Sequence, residues 1–201
     1  MNLCLIRHGE KGPIIDDVSA IELTDKGFRQ ADLVGKRLQS YNINMIFSST
    51  MVRARQTTAV INKYTNVEIE YREALREIDL GDCDSKGWDY VRANYPDFIA
   101  ALEQRERDVP YPKGECGNDV WIRVSEVIKE IISLKLENVA IVTHSGTIRS
   151  IICGVLGLPQ AKRFSFGKPP EHCGITCIKF ANGQFDLHIF NDYSHIGAED
   201  I

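Results

Sequence analysis

The chain has no C-x-x-C pair among its six cysteines, Cys4, Cys83, Cys116, Cys153, Cys173 and Cys177, which removes a zinc site built on that spacing. It shows no export signal, because Arg7-His8 arrives too early for a signal peptide, and without one a disulfide framework is not expected in a chain this large. Cys4 and Cys153, set in apolar runs, read as small buried hydrophobes. No apolar run approaches membrane-spanning length, so no membrane association is expected and the expected location is cytoplasmic. Positive charge is not in excess either. A formal net charge of −4 argues against a general nucleic-acid or anionic-membrane binder, although it leaves room for a small cationic pocket. The five histidines, His8, His144, His172, His188 and His195, include no i, i+4 pair, so no metal site is expected. There is no repeat, no low-complexity tract and no domain boundary, and 201 residues suffice for one well-buried domain spanning 1–201.

What is present is organised around the first ten residues. Met1 to Ile6 is an apolar run of strand length that leads straight into Arg7-His8-Gly9. In open α/β sheets, ligands bind in the crevice beyond the carboxyl ends of the strands, and a glycine there lets the backbone turn sharply. Lys11 to Asp17 reads as a loop. Thr24 caps a predicted helix with Asp25 in its first turn and Phe28, Ala31, Val34 and Leu38 on its apolar face. A second strand is predicted over Asn42–Phe47, followed by Ser48-Ser49-Thr50 as candidate N-caps and a helix with Met51, Ala54, Thr58 and Ile61 on one face. Arg53 and Arg55 fall in its first turn or so, where the helix dipole favours acids, and this local conflict points to a bound anion.

Val67–Tyr71 is predicted as a third strand and Glu73–Trp88 as a loop. Short helices over Trp88–Arg105 are broken at Pro96, and Val109–Glu115 is extended. A strong amphipathic helix carries Val120, Val124, Val127, Ile128, Ile131 and Leu134. Val139–Val142 has the unbroken apolar character of a central parallel strand and ends in Thr143-His144-Ser145-Gly146. A buried helix over Thr147–Leu156 follows, closed by Gly157, and the Asn182-Gly183 pair predicts a terminal hairpin. The pattern is that of an α/β protein with helices on both faces of a mostly parallel sheet.

Three predicted strand ends thus carry related residues: Arg7-His8, Arg53 and His144. In a parallel sheet they project from one edge. Two imidazoles and two guanidiniums in one crevice are costly unless an anion sits among them, and arginine binds phosphate oxygens in bidentate fashion. A histidine held against that phosphate can attack it and form a phospho-histidine, with the remaining cations stabilising the transferring charge. A leaving alcohol also needs a proton. Glu73, Glu77, Asp79, Asp82 and Asp84 are all candidates by position.

These segments resemble successive motifs of the histidine phosphatase superfamily, the phosphoglycerate-mutase-like group. They are Leu5-Ile6-Arg7-His8-Gly9-Glu10, Leu23 to Ala31, Ser48 to Thr57, Leu75 to Gly81, Tyr111 to Glu115, Val142 to Arg149 and Asn191 to His195, in order along nearly the whole chain. The resemblance implies a three-layer αβα sandwich with a mostly parallel central sheet and no metal or other cofactor. It implies His8 as the phosphorylated nucleophile, Arg7, Arg53 and His144 on the phosphoryl group, and Glu77 as proton donor. Glu10, Lys11 and Ser145 become candidates for contact with a small phosphorylated metabolite.

The chain also departs from the family pattern. Glu10 is followed by Lys11-Gly12-Pro13, where mutases and many phosphatases have Thr or Ser and then an Asn. Gly114-Glu115-Cys116 replaces Gly-Glu-Ser, and Cys83-Asp84-Ser85-Lys86-Gly87 replaces Trp-Glu-Gly. The acid loop and the Tyr111–Glu115 stretch look most like fructose-2,6-bisphosphatase, whereas His144-Ser145-Gly146 is closer to bacterial broad-specificity and α-ribazole-type phosphatases. The expectation is a histidine acid-type phosphomonoesterase. The alternatives are a cofactor-dependent phosphoglycerate mutase and a non-catalytic phospho-ligand module on the same fold.

Overall fold

The alternation of side chains along the first strand, β1 (Asn2–Arg7), sets the layering of the whole molecule, because successive residues of a strand face opposite sides. Leu3 and Leu5 enter one buried cluster, and Cys4 and Ile6 enter another. Each such side chain, fully withdrawn from water, contributes roughly 1.5–3 kcal/mol. The first cluster is completed by Val120, Val124, Val127, Ile128 and Ile131 of α6 (Gly117–Ser133) and Ile148, Ile151 and Ile152 of α7 (Ser145–Val155). The second is completed by Ala31, Val34 and Leu38 of α1 (Asp25–Leu38) and Ala54, Val60 and Ile61 of α2 (Val52–Thr65). Helices on both faces of a doubly buried sheet make a three-layer αβα sandwich. These features come from a computed structural model that describes residues 1–14 and 17–200.

The sheet also contains β2 (Met45–Ser49), β3 (Glu68–Arg72), β4 (Asn138–Thr143), β5 (Ile175–Ala181) and β6 (Gln184–Asp192), in the order β3-β2-β4-β1-β5-β6. The first four strands in that order are parallel, and β5 and β6 are antiparallel additions at one edge. The hairpin turn is Asn182-Gly183, both with positive φ, as the sequence predicts. The register of β1 on β4 matters most. Arg7 pairs with Thr143, so the residues that follow, His8 and His144, leave the sheet side by side.

Several local expectations change. Phe28 and Leu134 are 39% and 43% exposed, so each apolar stripe is one residue narrower than its periodicity suggests. The second strand runs to Ser49 rather than Phe47, so Ser48 and Ser49 are buried in the sheet and the N-cap of α2 is Met51, with no side-chain cap. The predicted Glu73–Trp88 loop contains a 3-10 turn over Glu73–Leu75 and a short α-helical turn, α3 (Asp82–Ser85). Thr24 does cap α1 through its Oγ1, and Pro96 separates α4 (Trp88–Asn94) from α5 (Pro96–Gln104). Of the expected Lys11–Asp17 loop, Ile15 and Asp16 lie outside the described residues.

Candidate active site

The exit from β1 runs close under the start of α1, and two glycines make that possible. A Cβ on Gly9 would sit 2.4 Å from the Gly27 carbonyl oxygen, and one on Gly27 would sit 2.1 Å from that of Glu10. The Gly9 N–H donates to Thr57 Oγ1 at 3.1 Å, and that hydroxyl donates to the Arg53 carbonyl at 2.8 Å. The turn after β1 is thereby fastened to the first turns of α2, and Arg53 is brought against His8.

His8 is 3% exposed and His144 is fully buried. The Nδ1 of His8 lies 2.7 Å from the Gly9 carbonyl oxygen, which can only accept, so the proton is on Nδ1 and the lone pair on Nε2. Into that lone pair Arg53 Nε donates at 3.2 Å. The other Arg53 nitrogens reach the Val18 carbonyl at 2.7 Å and Met51 Sδ at 3.4 Å. Arg7 donates from one terminal nitrogen to the Pro170 carbonyl at 2.7 Å, while its buried Nε has no hydrogen-bond partner among the described residues. The His144 ring is 5.0 Å from that of His8, with Nε2 2.8 Å from Ser49 Oγ and Nδ1 without a hydrogen-bond partner among the described residues.

Burial is the main reason that both imidazoles are held well below the ordinary histidine range. His8 is pushed further by His144, Arg53 and Arg7, and His144 further by Arg53 and Arg7. The cup therefore presents neutral imidazoles beside two guanidiniums, a pattern that an oxyanion completes.

Glu77 comes from the other side. Its Oε1 accepts from the Ile78 N–H at 3.0 Å and the Thr147 N–H at 3.1 Å, and its Oε2 accepts from the Gly146 N–H at 3.3 Å. The carboxylate thus rests on the N-terminus of α7, the favoured end of the helix dipole. Gly146 permits this, since a Cβ there would lie 2.8 Å from Glu77 Oε1 and 2.5 Å from Ile78 Cγ2. Sequence reasoning did not find what holds the acid loop. Glu115 takes Arg76 at 2.8 Å, Arg123 at 3.0 Å and the Asp79 N–H at 2.9 Å, and Arg123 also reaches the Glu77 carbonyl at 3.2 Å. Arg123 lies on an otherwise ordinary amphipathic helix and gives no signal in the sequence.

Arg7, His8, Lys11, Val18, Ser19, Met51, Arg53 and the segment Arg76–Leu80, with Asp84, line one cleft of about 320 Å³. His144 lies beneath the floor. Of the acids left open by spacing, Glu77, Asp79 and Asp84 reach the cleft; Glu73 and Asp82 do not. Asp82 is engaged by Tyr95, Lys86 and Lys113. Two of the candidates for substrate contact are not among the residues that line the cleft. Glu10 sits at the start of α1, where it accepts from Thr24 Oγ1 at 2.8 Å and pairs with Lys26 at 3.7 Å, and Ser145 is the first residue of α7. Arg55 faces away and stacks over Tyr71 at 4.5 Å. His172, considered in the sequence only as a metal ligand, places its ring 5.7 Å from that of His8, and burial pulls its pKa down to about 3. Among the described residues no three metal-ligating side chains converge, and no helix is long and apolar enough to cross a membrane.

Residues 3–193 match the model of the histidine phosphatase superfamily, branch 1. The chain belongs to that superfamily. Its relatives within it differ in activity. Phosphoserine phosphatase 1 of Hydrogenobacter thermophilus is 26% identical, over 83% of this chain and 82% of its own length. The 2,3-bisphosphoglycerate-dependent phosphoglycerate mutase of Allorhizobium ampelinum is 29% identical, over 75% of this chain and 77% of its own. Among solved structures, Bacillus stearothermophilus YhfR superposes with a TM-score of 0.83 at 27% identity, covering 96% of this chain and 98% of that one. Family and fold both agree with the motif resemblance.

Proposed function

We propose that this chain is a phosphatase that hydrolyses a small phosphate monoester through a phospho-histidine on His8. The observation that carries the reading is the direction of the His8 ring. Its Nδ1 is tied to the Gly9 carbonyl, and its Nε2 lone pair faces Arg53 in the cleft. In this scheme Arg7 and Arg53 hold the phosphoryl oxygens from the cleft, and His144 supports them from below. Nε2 attacks phosphorus as the ester P–O bond breaks, and the leaving oxygen takes a proton from Glu77. Glu77 Oε2, with its single 3.3 Å contact, is the oxygen free to carry that proton. Water then attacks phosphorus and gives a proton to Glu77 as the P–N bond breaks, its electron pair returning to Nε2, so that inorganic phosphate is released with His8 neutral again.

The mutase reading draws on the names of relatives such as the Allorhizobium enzyme. Against it, the acid loop and the segment before Gly114 are short and hold no large insertion. Incubation with 3-phosphoglycerate and a bisphosphoglycerate primer separates the two. Release of inorganic phosphate supports the phosphatase, and formation of isomer without net release overturns it. The non-catalytic reading is tested by His8→Ala on an aryl phosphate, where equal turnover in variant and wild type would support it.

A further inference from the structure

Outside the cleft, two nucleophilic side chains meet on one face of the sheet. Cys4 of β1 and Cys177 of β5 are register partners, and their Sγ atoms lie 3.3 Å apart as free thiols. Among the described residues no other two cysteines make such a contact. We propose that Cys4 and Cys177 form a reversible disulfide when the protein meets hydrogen peroxide, a staple that fastens the antiparallel edge of the sheet to the strand ending at Arg7. This modification site is independent of the reaction proposed above. It is one inducible bond and not the permanent framework that the sequence argues against.

Strand register carries the argument. Met1 and Phe180 exchange both backbone hydrogen bonds, at 3.1 Å and 2.9 Å. Hydrogen-bonded and non-hydrogen-bonded pairs alternate along antiparallel strands. The register is regular from Asn2 opposite Lys179 to Ile6 opposite Ile175, so Cys4 and Cys177 form a non-hydrogen-bonded pair. The Cα atoms of such a pair are about 4.5 Å apart, inside the roughly 4.4–6.8 Å that a disulfide spans. Neither strand has to move for the bond to close. The two sulfurs also differ. Cys177 is 8% exposed and Cys4 only 1%. An S–H donated by Cys4 lowers the pKa of Cys177, while the same contact, with burial, raises that of Cys4. Cys177 is therefore the sulfur that attacks first, since the thiolate is the reactive form. It takes one oxygen from the peroxide as the O–O bond breaks and becomes a sulfenic acid, and the hydroxide released takes up the proton that Cys177 gave up. Cys4 then attacks that sulfur, the S–S bond forms, and the hydroxyl leaves as water with the Cys4 proton. Two thiols are oxidised and one peroxide is reduced to two waters.

The test treats the reduced, folded chain with hydrogen peroxide, blocks the remaining thiols with iodoacetamide in urea, and maps the unreduced peptides by mass spectrometry. A peptide joined through Cys4 and Cys177, lighter by two hydrogens than the sum of its halves, should appear, and dithiothreitol should split it. The free thiols should fall by two from six. The stapled chain should also unfold at a higher urea concentration than the reduced one, because the bond closes a loop that holds most of the chain. That gap should vanish in dithiothreitol and in Cys4→Ala. Oxidation of either cysteine without a cross-link, pairing of Cys177 with Cys173 or with a second copy, or a bond that forms only in the unfolded chain overturns the proposal. An equal or lower urea midpoint for the stapled chain overturns it too, since the strands would then have to distort to accept the bond. The peptide map of the wild-type chain decides the matter even if the variant does not fold.

Discussion

At and just beneath the floor of the cleft, His8, Arg53 and His144 are nearly or fully buried and each has a hydrogen-bond partner, whereas at the rim Lys11 and Asp84 are half-buried and make no side-chain hydrogen bond or ion pair among the described residues. The floor residues are placed by strand register and by close backbone approach. Arg7 opposite Thr143 forces His8 and His144 together, and Gly9 against Gly27 seats α1 and α2 beside them. The rim residues are placed by a loop and by a single helical turn, which can change sequence without disturbing the sheet. The contrast teaches that, in the proposed mechanism, the reacting groups are set by the fold and the outer wall of the cleft by its edges. Relatives with different activities on one fold are the expected result.

The hardest way to break the contrast is at the floor. His8→Ala should lower kcat on p-nitrophenyl phosphate by about 10⁴-fold or more, the scale seen when a covalent nucleophile is removed. A loss of less than tenfold would mean that the imidazole is not the attacking group. Arg53→Gln should follow with a loss of about 10²–10³ in kcat/KM, as for other single donors to a developing charge. Because Arg53 also donates into His8 Nε2, part of that loss should appear in kcat and not only in KM. A pure KM effect would reduce Arg53 to a docking group.

Much of the floor was legible in the sequence. The strand ends gather Arg7, His8, Arg53 and His144, and period-2 burial reads directly from Leu3, Cys4, Leu5 and Ile6. What was illegible depends on pairs far apart in the chain. Glu115 and Arg123 hold the loop that carries Glu77, yet a Glu after a Pro-x-Gly turn and an Arg on a helix look like solvated charges until the fold brings them within 3.0 Å. Ser49 reads as a helix cap and is in fact a strand residue bonded to His144. Phe28 and Leu134 show the opposite limit. Periodicity assigns them to a stripe, but the neighbouring layer does not extend far enough to cover them.

A smaller effect, of opposite kind, tests the neutrality of the floor. His8, His144 and His172 are held below their ordinary value of 6.5, mainly by burial. Below pH 6.5 the unfolded chain therefore binds more protons than the folded one, so stability is complete above that pH and falls as the pH drops. The loss is about 2 kcal/mol for each such histidine at pH 5. Urea midpoints at pH 7.5 and pH 5 should show it, and His8→Ala should remove its own share. An unchanged midpoint would mean that the buried rings are already charged and that some acid outside the cup pairs them.

The smallest effect sharpens the boundary between floor and rim. Glu10 directly follows the nucleophile's turn and is a natural candidate for substrate contact by sequence, yet its carboxylate accepts from Thr24 and pairs with Lys26 at 3.7 Å. That pair is partly exposed, and exposed pairs contribute at most about 1 kcal/mol. Glu10→Gln keeps an oxygen for the Thr24 hydroxyl and removes only the charge. It should cost a few tenths of a kcal/mol in a urea melt and leave KM for p-nitrophenyl phosphate within about twofold, which is less than any single direct contact is worth. A tenfold rise in KM would place Glu10 among the substrate-binding groups after all. The cleft wall would then have to be redrawn to include the first turn of α1.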